Sequence, residues 1–260
     1  MQQQIYSHWH GYQNISHLVI FGDSYSDVGY RSSSMLHPSE EHPLGVVFPG
    51  YSWAEDHKPN WIQRHFIPKV GQKPDWAPWS SDDTLFITWV GINDCAFIAT
   101  EKNIRDSMDK LFEQQDHLYV LGARNFLFID VPPIHRSPAV PVGRAESTSL
   151  INKLWNQILR EAVTHFTSTH PDATAFIYSS YNLFTRILDD PVAYGFQLED
   201  RRKRGGRIWK DHIHPKTRVH QEIARDVSAF LEAQPAFGNG DVAESQLPGA
   251  TQQSDIQATS

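Results

Sequence analysis

Four short apolar runs, LVIF at 18–21, TLFITWV at 84–90, NFLFIDV at 125–131 and ATAFIYS at 173–179, are nearly unbroken rather than alternating. Strands of that kind have both faces buried, as in a parallel sheet covered by helices on each side. The intervening stretches suit such a cover. Apolar residues recur at helical spacing over 97–121, over 147–169 (Leu150, Leu154, Ile158, Phe166) and over 218–231 (Val219, Ile223, Val227, Phe230). Strand-helix alternation with right-handed crossovers predicts an α/β fold, a three-layer α/β/α sandwich on a mainly parallel sheet.

Two regions interrupt the rhythm. Residues 31–82 carry seven prolines and the tryptophans Trp53, Trp61, Trp76 and Trp79, with room for one brief helix over 60–66. An insertion of this length in a compact domain is usually a functional loop. After Ala233 the chain turns polar and reads as a disordered tail. The expected organisation is an N-terminal extension over 1–16, one folded domain over 17–232 and a tail over 233–260.

Composition sets bounds on function. A net charge of -7 speaks against nucleic acid as the partner, and the basic run Arg201–Arg204 is read as a solvated loop. No apolar stretch is long enough for a membrane span. Cys95 is the sole cysteine, so an internal disulfide is impossible and a reducing compartment is permitted. The N-terminus as written has no secretion signal, which points to the cytoplasm, or to secretion if the true N-terminus is missing. Oligomeric state is not legible.

Chemistry gathers where the apolar runs stop. Phe21 gives way to Gly22-Asp23-Ser24, and ligands of open parallel sheets collect beyond the carboxyl ends of strands. Gly22 allows a tight turn, and a helix opening over 25–30 would aim free N–H groups back at Ser24. A helix cap is the competing reading for Asp23 and Ser24. A serine nucleophile needs an imidazole base, and Asp211-His212-Ile213-His214-Pro215 offers candidates on a loop before the last helix. His214 could face the serine through Nε2 with Asp211 on Nδ1. Alternatively, His212 and His214 form a His-x-His metal pair, although no cysteine or acidic cluster nearby completes a shell. They could also merely cap the helix. At the end of the second run, Gly91 lets the backbone turn and Asn93 offers an amide N–H able to polarise an acyl oxygen. Cys95 is read as a small packed residue.

The ordered set of these motifs resembles the GDSL-type esterases and lipases of the SGNH hydrolase superfamily. Phe21–Asp27 matches the family's first block, Gly91–Asp94 its third and Asp211–Pro215 its fifth, while Pro43-Leu44-Gly45, Pro59-Asn60-Trp61 and Asp130-Val131-Pro132-Pro133 resemble the fungal acetylesterase and plant lipase-like branches. The resemblance implies a flavodoxin-like sandwich in which Ser24 is the nucleophile, His214 the base and Asp211 its orienting acid. The oxyanion hole would combine the Ser24 backbone N–H, the Asn93 amide and a glycine N–H, with Asp23, Gly91 and Trp53 among the substrate contacts. No cofactor and no metal are implied. The implied partner is a small-molecule ester or acylated saccharide, and the reaction is serine-dependent hydrolysis of short acyl esters. A non-catalytic binding protein on the same fold and a metal-dependent hydrolase using His212 and His214 are the rivals. The chain departs from the pattern in the second block: Tyr51–Lys58 lacks the family's glycine, the nearest being Gly50. Losing one oxyanion donor typically slows turnover by about 10²- to 10³-fold.

Overall fold

The computed structural model describes residues 4–27, 79–97 and 100–238. Among them the four apolar runs form β1 (His17–Gly22), β2 (Thr84–Trp89), β3 (Asn125–Ile129) and β4 (Thr174–Tyr178), all parallel and in chain order across the sheet. Every residue of β2 and β3 is buried, which explains the unbroken apolar text of these central strands.

Alternate residues serve the two faces. On one face, Phe128 stacks on Phe112 of α2 (Glu101–Val120) at 5.2 Å, and Phe126 meets Phe166 of α3 (Ala145–Thr169) edge-on at 5.1 Å. On the other, Ile20, Ile87, Trp89 and Ile129 gather around Ile223 and Val227 of α5 (Thr217–Glu232). Helices on both faces of a parallel sheet make this the expected α/β/α sandwich. No helix among the described residues is long and apolar enough to cross a membrane.

Three helical details differ from the sequence-based expectation. The helix expected over 97–121 is α2, starting later where the Thr100 hydroxyl accepts the Asn103 N–H, and a separate short helix not expected from the sequence, α1 (Ile92–Phe97), precedes it and ends on a phenylalanine that is 88% exposed. Leu150, expected on the buried face of α3, is 63% exposed, because that face runs instead through Trp155, Ile158, Leu159, Val163 and Phe166. An unexpected helix, α4 (Ser180–Asp189), is capped by the Ser179 hydroxyl and buries Leu183, Phe184, Ile187 and Leu188.

The N-terminal extension packs on the domain. Trp9 is fully buried edge-on to Phe176 at 4.7 Å, and the Tyr6 N–H donates to the Thr174 hydroxyl. From the stretch expected as tail, Phe237 donates its N–H to Trp9 O, while residues 239–260 lie outside the described ones. So do the brief helix expected over 60–66, the second block with Gly50, and Trp53, Trp61 and Trp76. Trp79 is core, buried edge-on against Phe86 at 5.2 Å.

Asp130, just past β3, is 2% exposed and accepts hydrogen bonds from the Ser179 hydroxyl and the Tyr181 N–H. Burial still pushes its pKa from 3.8 up to about 6, against those bonds. A carboxyl that holds its proton more tightly folded than unfolded stabilises the fold at low pH and loses that contribution as pH rises from about 4 to 6, by about 3 kcal/mol. Asp130→Asn removes the titration. The melting temperature of the variant relative to the parent is therefore expected to improve between pH 4 and pH 7, and a difference independent of pH in calorimetry would contradict this account.

Candidate active site

The carboxyl ends of β1 and β2 are adjacent, with Gly22 in register with Trp89, so the turns that follow them leave the same edge of the sheet. After β1 the chain bends at once: the Ser26 N–H donates to Asp23 O at 2.9 Å, and one Asp23 carboxylate oxygen accepts the Tyr25 N–H at 3.0 Å. Gly22 is needed here for closeness rather than for an unusual φ, since a Cβ would lie 2.4 Å from the Ser26 hydroxyl. Residues 24–26 form a turn, so the helix expected to begin at Tyr25 does not start within the described residues.

His214, expected as the base, arrives from the opposite end of the chain. Trp209, buried and tied through its indole N–H to Arg201 O, bridges Pro215, and the Lys210 N–H closes the loop on His214 O at 2.8 Å. Within that loop one Asp211 oxygen accepts the N–H groups of both Ile213 (2.8 Å) and His214 (2.9 Å). The other oxygen lies 2.7 Å from His214 Nδ1, and His214 Nε2 lies 2.8 Å from Ser24 Oγ across 190 residues of sequence. Burial alone would raise the Asp211 pKa, but the two backbone N–H groups and the His214 ring outweigh it and hold the carboxyl at about 2.

This fixes the proton arrangement. An ionised Asp211 can only accept, so His214 Nδ1 carries a hydrogen, and in the neutral imidazole that leaves Nε2 to accept from Ser24. His214 thus has both ring nitrogens engaged, whereas the side chain of His212 is 58% exposed, with Nδ1 3.8 Å from Asp211. A His-x-His metal pair would have to dismantle the Ser24 contact.

The other expected site residues are placed as follows. Asn93 is exposed in the first turn of α1, at the edge that carries Ser24. Gly91, expected against substrate, is buried and faces inward: its φ is +113°, and a Cβ would fall 2.3 Å from the Trp155 ring. Asp23 also turns inward, with its second oxygen buried and without a hydrogen-bond partner among the described residues, and burial pushes its pKa up to about 6. Burial likewise pushes the Cys95 thiol up to about 12, which leaves it un-ionised and inert beside the site. The basic run is not simply solvated. Arg201 donates to Asp189 O and Arg202 to His135 O and Val140 O, so these guanidinium groups fasten the loop leading to Trp209. Tyr25 and Trp155 carry no signal that sequence reasoning uses, yet both brace the two turns.

No protein-family model matches the chain. It is similar to an acetylesterase of Thermothelomyces thermophilus, 28% identical over 82% of this chain and 87% of that protein. A phosphatidylcholine-sterol acyltransferase of Aeromonas hydrophila is 22% identical over 75% of this chain and 68% of its own. A GDSL esterase/lipase of Arabidopsis thaliana is 25% identical, over 38% of this chain and 29% of its own. Similarity to an acetylesterase through most of the chain, together with the shorter matches to GDSL esterase/lipases, supports a carboxylic-ester hydrolase that resembles the GDSL-type esterases.

Proposed function

We propose that the protein hydrolyses short-chain carboxylic esters, acetyl esters of saccharides foremost, with Ser24 as nucleophile, His214 as general base and acid, and Asp211 as the group that orients His214. The observation that carries this reading is the unbroken line from Ser24 Oγ through His214 to Asp211, with separations of 2.8 and 2.7 Å. In the first half-reaction His214 Nε2 takes the Ser24 proton as Oγ attacks the ester carbonyl, and the imidazolium that forms is stabilised by Asp211. The oxyanion is received by the Ser24 N–H and the Asn93 amide. His214 then gives its proton to the leaving alcohol, and water attacks the acyl-enzyme by the reverse proton path. The acetyl preference is supported by the similarity to an acetylesterase over most of both chains.

Comparing p-nitrophenyl acetate, butyrate and octanoate tests the acyl preference. kcat/KM is expected to fall with chain length, and equal or greater efficiency on the octanoate would overturn the short-chain reading. Because His214 has no ring nitrogen to spare, treatment with EDTA is expected to leave the acetate rate unchanged. Loss on chelation with recovery on adding zinc would favour the metal-dependent alternative.

A further inference from the structure

Consecutive residues of the nucleophile turn grip consecutive residues of the base loop. Ser24 Oγ meets His214 Nε2, and the neighbouring Tyr25 hydroxyl donates to Ile213 O at 2.6 Å across 188 residues. Ile213 O and the His214 N–H belong to one peptide unit, the unit that carries the His214 Cα. That unit is therefore held at both ends, its oxygen by Tyr25 and its N–H by the Asp211 carboxylate.

We propose that Tyr25 is a positioning residue for catalysis, holding the 213–214 peptide so that His214 stays between Ser24 and Asp211. The inference rests on the reading of Ser24 and His214 as nucleophile and base. Tyr25 is suited to the task because it cannot wander: it is 2% exposed, edge-on to Trp89 at 5.5 Å, with Phe184, His214 and His220 rings around it. Burial, and then the charges of Asp23 and Asp211, hold its phenol well above the ordinary range, so it remains a donor. The bonds from Tyr25 O–H to Ile213 O and from the His214 N–H to Asp211 run in one direction through the amide, an arrangement in which each polarises the next. The family's four-letter name has leucine at this position, and a leucine could not make the bond.

Tyr25→Phe keeps the ring and removes the donor. Losing one buried hydrogen bond that steadies the reacting groups is expected to lower kcat about tenfold, with KM within about twofold of the parent. The rate at which a fluorophosphonate labels Ser24 is expected to fall in step. Parental kcat and labelling rate in the folded variant would overturn the inference, as would a change confined to KM. Ser24→Ala, assayed alongside, keeps the two readings apart: label retained in it would remove the nucleophile assignment, whereas label lost in it and unslowed in Tyr25→Phe would remove only the role of Tyr25. Should Tyr25→Phe not fold, 4-aminophenylalanine and 4-methylphenylalanine at position 25 fill the same space with and without a donor. The amino variant is expected to label Ser24 faster, and equal rates would overturn the inference.

Discussion

Ser24→Ala is expected to lower kcat on p-nitrophenyl acetate by about 10⁵- to 10⁶-fold, His214→Ala by a similar factor, and the double variant by no more than either alone. The reason is geometric. Among the described residues Ser24 Oγ has one partner positioned to take its proton, His214 Nε2 at 2.8 Å, and the proposed attack needs both atoms. Asp211→Asn is expected to cost about 10⁴-fold, since an amide can donate to Nδ1 and so select the wrong imidazole tautomer. Losses that add across Ser24 and His214 would mean that they act separately, which is incompatible with an acyl-enzyme route through this pair.

Gly91→Ala tests the other wall of the site. The new methyl would lie 2.3 Å from the Trp155 ring on a backbone with φ of +113°, so it meets both steric overlap and an unfavourable conformation. Overpacking of about 1–3 kcal/mol and a left-handed penalty of about 1–2 kcal/mol together predict a fall in melting temperature of roughly 10 °C. Activity is expected to fall further than stability explains, because Asn93, the proposed oxyanion donor, lies two residues on and loss of one such donor slows turnover by about 10²- to 10³-fold. Adding Trp155→Leu should recover part of the lost stability, since the two positions compete for one volume. A parental melting temperature in Gly91→Ala would show that the glycine is not held against Trp155 as described.

What could be read in the sequence follows burial. The four strands were visible because a strand buried on both faces leaves unbroken apolar text, and α3 and α5 because their buried faces repeat at helical spacing. Helix α4 is hard to separate in the sequence although Ser179 and the Leu183, Phe184, Ile187, Leu188 spacing are helical signals. Its ten residues adjoin the fourth apolar run and merge with it by eye. Leu150 shares the helical spacing yet is exposed, because the buried face of α3 is centred on Trp155, Leu159 and Val163.

At the site, the serine after a strand and the Asp-x-x-His before a proline each serve equally well as helix caps, so only their occurrence as a set points to chemistry; the structure brings them within hydrogen-bond distance. The inward turn of Asp23 and Gly91 was not legible, since it depends on a Tyr25 N–H and a Trp155 ring whose positions only folding supplies. The bond from Tyr25 to Ile213 is further still from the text. It depends on the register between two segments 188 residues apart.

The most direct measurement is peptide mass spectrometry after exposure to a fluorophosphonate, which reacts with an activated serine whatever the natural ester. The account predicts one phosphonyl adduct on the peptide containing Ser24, and little or none in His214→Ala. No adduct in the folded parent protein, or an adduct on a different serine, would contradict it.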